Sequence, residues 1–168
     1  MENNFTIEDI KDSVESQWQK SQIKLCLYIW GIISILTLFV PLIGSISDFS
    51  LLPTGMLIWI CWIFLIGLLF GIRILYYHHK VKYLLKNYKK FSCHEVVLDN
   101  FSTSILYKNS IFYSVKINEG NQEKIVNTNP YFSNFSLAKL LPSEYNGKKV
   151  LGLYDDSKDK FYIIKKVE

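Results

Sequence analysis

Polar and apolar positions separate along this chain in three regimes. From Phe5 to Lys20 the apolar residues Ile7, Ile10, Val14 and Trp18 recur at spacings of 3, 4 and 4, which predicts a short amphipathic helix with an acidic opposite face. Thr6 with Asp9 three residues on predicts a capping box at its start, with Phe5 and Ile10 placed for a hydrophobic staple. Two apolar runs follow, Leu25 to Ile43 and Thr54 to Ile72, and Asp48 is the one formal charge from residue 25 to residue 72. Each run has the roughly 20 residues that, at about 1.5 Å rise, cover a hydrocarbon core of about 30 Å, so two membrane-spanning helices are predicted. From Ile74 to Tyr88 the helical spacing continues through Tyr77, Val81, Leu84 and Leu85. The second span is therefore expected to run on as a single helix of about 35 residues, roughly 50 Å long.

After Phe91 the period changes from helical to alternating. Ile111, Tyr113, Val115 and Ile117 alternate with Phe112, Ser114, Lys116 and Asn118, the pattern of a half-buried strand. Further strands are predicted at 94–99, 104–107, 123–128, 149–154 and 161–167. A hairpin turn is expected at Asn118-Glu119-Gly120-Asn121, another turn at Asp155 to Asp159, and a short helix at Leu137–Leu141. The predicted fold class is a membrane α + β protein, in which a two-helix transmembrane hairpin precedes a small cytosolic all-β barrel, OB-like or SH3-like. The expected divisions are residues 1–22, an amphipathic N-terminal helix, 23–90, the hairpin with a basic helical extension, and 91–168, the barrel.

Charge sharpens this picture. The net charge is +4, but Arg73, Lys80, Lys82, Lys86, Lys89 and Lys90 form a block with no acid, while residues 1–24 hold three Lys against five acids. Basic flanks outside the pair of spans, and none between them, place both termini in the cytoplasm and the loop from Gly44 to Pro53 outside. The block itself reads as a surface for anionic headgroups rather than for nucleic acid, and the acidic N-terminal helix is expected to pack on it. The first run follows about 24 polar residues without a basic start, so it is expected to act as an uncleaved anchor. Tyr28 and Trp30 suit an interfacial aromatic belt, Pro41 a helix end, and Pro53 a first helical position. Gly67 and Gly71, in G-x-x-x-G spacing, allow close approach of another helix, either a second copy or the first span.

Candidate chemistry is sparse. Cys26, Cys61 and Cys93 lack the spacing of a zinc site or disulfide framework, and adjacent Cys93 and His94 would point to opposite faces of a strand. His78 and His79 point to different faces of a helix, so no metal is expected. Glu119, Asp155, Asp156 and Asp159 read as solvated turn carboxylates. No phosphate-binding, metalloprotease or nucleophile-elbow motif is present. Twelve of the 78 residues from Phe91 onward are Phe or Tyr, but with no Arg in that stretch they read as core rather than as a nucleic-acid platform. Neither apolar run carries the mid-membrane ionisable group that ion paths need.

Val96-Val97, Phe112 to Ile117 and Tyr145-Asn146-Gly147-Lys148-Lys149-Val150-Leu151-Gly152-Leu153-Tyr154-Asp155 resemble a bacterial membrane-anchored family of unknown function. Its small C-terminal β-domain ends in Gly-x-x-Val-x-Val-x-Tyr-Asp-Pro. Gly152 stands here in place of a Val and Asp156 in place of the Pro. The resemblance covers about residues 92–164 and implies a membrane anchor with a small β-domain, without implying an activity. The layout of two spans and a β-rich barrel is also similar to the membrane effectors of bacterial cyclic-oligonucleotide antiphage systems. The expectation is thus a two-pass protein of the bacterial plasma membrane, a composition rich in Lys, Ile and Asn being what an AT-rich bacterial genome gives. It is expected to be a non-enzymatic, membrane-tethered interaction or sensing module without cofactors, with a protein or small molecule as partner of the cytosolic domain and a homo-oligomer as one state. The alternative is a defence effector or toxin-immunity protein that oligomerises in the membrane.

Overall fold

A computed structural model of the chain describes residues 5–46, 48–98, 100–103, 110–119, 122–129, 131–132 and 142–167. The predicted strand at 104–107, the turn residues Gly120 and Asn121, and the predicted helix at Leu137–Leu141 lie outside the described residues. The chain divides into two compact units, one formed by residues 1–21 with 80–168 and the other by residues 22–79. The first unit therefore takes in the N-terminal segment and residues 80–90 together with everything after Phe91.

The expected N-terminal helix is two helices. Helix α1, Ile7–Lys11, starts with the capping box foreseen from Thr6 and Asp9: the Asp9 amide donates to Thr6 Oγ1 at 3.1 Å, and the Thr6 amide to Asp9 Oδ2 at 2.8 Å. It stops at Asp12, where serine hydroxyls compete for the carbonyl of its penultimate residue. Ser13 Oγ and Ser16 Oγ both donate to the Ile10 carbonyl, at 2.7 and 2.6 Å. Ser13 Oγ also accepts from the Ser16 amide at 3.2 Å, so it caps the next helix, α2, Val14–Gly44. Helix α2 continues directly into the first apolar run. Pro41, expected at its end, lies inside it; the last turn closes on the Pro41 carbonyl, which accepts from both the amide and the hydroxyl of Ser45.

A 3-10 turn, Phe49–Leu51, capped by Asp48, leads into helix α3, Leu52–Asn87. Its 36 residues make the single long helix expected from the unbroken spacing after Ile72. A second 3-10 turn, Tyr88–Lys90, ends it.

Among the described residues, seven strands form one curled sheet: β1 Ser92–Val97, β2 Asn100–Thr103, β3 Ser110–Glu119, β4 Gln122–Thr128, β5 Tyr131–Phe132, β6 Lys149–Asp155 and β7 Lys160–Lys166. The path runs β1-β6-β7-β4-β3-β2, with β5 on β3. Every pair is antiparallel except β4 with β7, which meet in parallel at Asn127–Lys160 and Thr128–Phe161. Glu119 pairs with Gln122, which fixes a two-residue connection where the hairpin was expected. Among the described residues no pairing joins β2 to β1, so the sheet is a half-barrel.

Its two faces have separate cores. Opposed pairs such as Val115–Val126, Val96–Val150 and Gly152–Ile163 fill the concave side. Cys93, Leu153, Tyr162 and Ile164 face the other way and form a cluster with Ile10, Leu84, Tyr88 and Phe91. The N-terminal helix thus packs on the apolar side of the basic extension, through Ile10. Gly152 shows why a Val is excluded from its position. A Cβ there would overlap the Phe161 ring and lie 2.7 Å from the Tyr162 carbonyl, beside the bulge between Leu151 and Gly152. Helix α4, Pro142–Tyr145, precedes Gly147, whose φ of +70° turns the chain into β6.

Candidate functional site

The unit of residues 22–79 presents apolar side chains outward along both helices. Over their most apolar windows α2 is 6% buried and the segment containing α3 is 0% buried, at mean hydropathies of 2.3 and 2.5. Ile35, Leu36, Phe39, Leu65, Leu68 and Leu69 are all exposed. An exposed apolar surface of this extent is not tolerated in water and marks contact with an apolar medium or partner.

The two helices touch each other at small residues. A Cβ on Gly67 would stand 3.3–3.5 Å from the Trp30 indole, whose Nε1 donates to the Ile63 carbonyl at 3.4 Å. A Cβ on Gly71 would meet nothing within 4 Å. The glycine pair is therefore split: Gly67 is occupied by the first span of the same chain, and Gly71 faces open space. Trp59 Nε1 donates to Thr37 Oγ1 at 3.2 Å, a second contact between the helices.

Of the basic block, Arg73, Lys82, Lys86, Lys89 and Lys90 are exposed and Lys80 is half-buried, whereas Tyr77, Leu84 and Tyr88 are buried. The extension is amphipathic, and the block's cations lie on its outer side. His78 and His79 are exposed beside them, and among the described residues no three His, Cys, Asp or Glu side chains gather as a metal site.

In the unit of residues 1–21 and 80–168, two carboxylates depart from expectation. Glu15, on the acidic face expected to pack on the basic block, is 2% exposed; its Oε1 accepts from two neutral amides, Gln19 Nε2 at 2.7 Å and Asn129 Nδ2 at 2.9 Å. Asp155, predicted as a solvated turn residue, is 1% exposed. Its Oδ2 accepts from the Tyr83 hydroxyl at 2.8 Å, and its Oδ1 accepts from the amide and hydroxyl of Ser157 at 3.1 and 2.6 Å. Lys158 Nζ lies 3.2 Å from the centre of the Tyr83 ring, which holds the same turn against α3. Burial pushes the Tyr83 and Tyr162 hydroxyls up, and the Asp155 carboxylate adds to both shifts. No local pattern announces these burials; an Asp opening a turn and a Glu in a first helical turn are ordinary surface positions.

A third polar cluster sits at the rim of the concave face. Lys124 Nζ donates to the Tyr154 hydroxyl at 2.5 Å and pairs with Asp159 at 3.1 Å, while Tyr154 donates to Asp159 Oδ1 at 2.9 Å. These hydrogen bonds, led by that from Tyr154, hold the Asp159 carboxyl below its ordinary range, and the bond to Tyr154 leads those that raise Lys124. Asp156 and Asp159 themselves are exposed, as expected of a turn. Cys93 is buried, and a raised thiol pKa caused by burial makes it a poor nucleophile. His94 turns away from it, to Ser92 Oγ at 2.8 Å and edge-on to Tyr154. Comparison with protein-family models, characterised proteins and solved structures finds no match to this chain.

Proposed function

We propose that the chain is a two-pass protein of the bacterial plasma membrane, both termini cytoplasmic, that works as a non-enzymatic, membrane-tethered interaction or sensing module. The observation that carries this reading is the outward-facing apolar surface of α2 and α3. Burying it in lipid removes about two dozen large apolar side chains from water, at about 25 cal/mol per Å². The orientation is supported by the absence of Lys and Arg from residue 25 to residue 72. Along α3, Lys82 follows Ile72 by about 15 Å of helix rise, so Arg73, Lys80 and Lys82 are the cations within reach of anionic headgroups. Lys86 lies about 21 Å along the same helix, farther from the headgroups, where salt screens it more.

The non-enzymatic reading draws on the saturation of Asp155. A carboxylate that already accepts from Tyr83 and Ser157 holds a turn, and both its oxygens are engaged. The packed concave core supports an OB-like or SH3-like affinity of the half-barrel. The resemblance to membrane-anchored β-domains fits the same reading. The rival, an effector that oligomerises in the bilayer, draws on the open side of α3 at Gly71.

Reporter fusions test the central claim. A reporter after Val167 is expected to behave as cytoplasmic, and one inserted at Ile46 as external. Alkaline-phosphatase activity from the C-terminal fusion overturns the orientation, and release of the chain by alkaline carbonate overturns the membrane itself. Dye leakage from vesicles holding the purified chain separates the two roles: leakage supports the effector, and intact vesicles support the tethered module.

A further inference from the structure

Within the hairpin, Thr37, Val40 and Pro41 of α2 and Gly55, Ile58, Trp59 and Trp62 of α3 surround an apolar cleft of about 320 Å³. Its boundaries are structural. At one end the helices meet where a Cβ on Gly55 would lie 3.1 Å from Pro41 Cβ, and toward the other the Trp30 indole bridges to Ile63 and Gly67. Between these contacts Trp59 reaches across to Thr37, and the cleft lies beside that bridge. Val40, Ile58 and Trp62 line the cleft while remaining 70%, 63% and 54% exposed, so it opens sideways rather than being sealed.

The lining states what chemistry fits. Two of its polar side chains are engaged: Trp59 Nε1 donates to Thr37 Oγ1, and Thr37 Oγ1 donates to the Ile33 carbonyl at 2.7 Å. No charged side chain lines it. An apolar cavity of roughly 150 Å³ stays dry and takes up small hydrocarbons, so a cleft of this size is filled by apolar matter rather than by water. Two indoles and a proline ring offer flat, rigid walls to a methylene chain. We propose that this cleft is a binding site for one acyl chain of a phospholipid in the leaflet opposite the basic flanks. The proposal rests on the membrane reading above, which supplies the occupant: in a bilayer, the medium at Val40 and Ile58 is acyl chain. It goes beyond that reading by selecting one chain from the surrounding lipid, because the cleft walls contact it from two helices whereas the outer faces contact lipid from one side only.

The test uses the full chain in vesicles of phosphatidylethanolamine and phosphatidylglycerol doped with a phospholipid that carries a diazirine on its acyl chain. After irradiation, adducts are mapped by mass spectrometry. Adducts at Val40, Ile58 and Trp62 are expected to exceed those at the comparably exposed Leu65 and Leu69 several-fold. Val40→Trp, which fills the cleft from an exposed position, is expected to reduce the adducts at Ile58 and Trp62 several-fold and leave those at Leu69 unchanged. Ile58→Trp serves the same purpose from the other helix, read at Val40. Equal labelling along both helices, or labelling at Ile58 and Trp62 that is indifferent to Val40→Trp, overturns the site and leaves the membrane reading intact. Absence of adducts from a chain that alkaline carbonate extracts overturns both.

Discussion

The Tyr83 hydroxyl on α3 donates a 2.8 Å hydrogen bond to Oδ2 of Asp155, the last residue of β6, 72 positions away in sequence. The helix is thereby fastened to the sheet through a buried carboxylate. Tyr83→Phe removes the donor and leaves one oxygen of a buried charge short of a partner. The expected cost is about 1–3 kcal/mol, read from denaturant unfolding of the full chain in detergent. An unchanged midpoint would show that Ser157 alone satisfies Asp155.

The shared core of Ile10, Leu84, Tyr88 and the outer face of β6 and β7 predicts that residues 91–168 do not form a well-packed domain alone. Such a fragment exposes Cys93, Leu153, Tyr162 and Ile164, which those side chains cover. Broad dispersion-poor amide spectra and binding of a hydrophobic dye are expected. Within the full chain, Leu84→Ala is expected to cost about 2–5 kcal/mol, the range for truncating a buried leucine. A cooperatively unfolding 91–168 fragment would contradict this.

The two glycines of α3 are expected to behave differently. Gly67→Ile drives a branched side chain into the Trp30 indole and lowers the thermal stability of the monomer in detergent. Gly71→Ile enters open space and leaves that stability unchanged. Cross-linking in membranes then reports on the open side: a dimer lost only with Gly71→Ile places a second copy there. Equal destabilisation by both substitutions would be incompatible with the observed contacts.

Alkaline pH is expected to unfold the sheet unit. Burial is the main cause that pushes the Tyr113 hydroxyl to about 12, and burial likewise raises Tyr83, Tyr145, Tyr154 and Tyr162. In the unfolded chain these groups ionise near pH 10, so above that the unfolded state binds fewer protons than the folded one. Stability is therefore full below about pH 10 and falls as the pH rises toward the folded values. Tyrosinate absorbance that rises together with loss of circular dichroism checks this. Ionisation in step with free tyrosine, before any unfolding, would refute it.

Local pattern determined much of this protein. The absence of charge over residues 25–72 is a property of composition and length, and it marks two helices wherever they pack. The alternation from Phe112 to Asn118 determined which side of β3 is buried, because successive side chains of a strand must point to opposite faces. The capping box at Thr6 and the long α3 are likewise local, set by residues within four positions of each other.

What tertiary structure decided lies where two segments meet across many residues. Glu15 reads as part of an acidic helix face until Asn129, 114 positions on, donates to it. Asp155 reads as a turn residue until α3 lays Tyr83 over it. Gly67 and Gly71 are equivalent in spacing, and only the position of Trp30 makes one occupied and the other open. Gly152 is required because the Phe161 ring crosses it. Periodicity records which way a side chain points along its own element. It carries no information about what another element brings to that side, and burial of a charge or crowding of a glycine is set by that second partner alone.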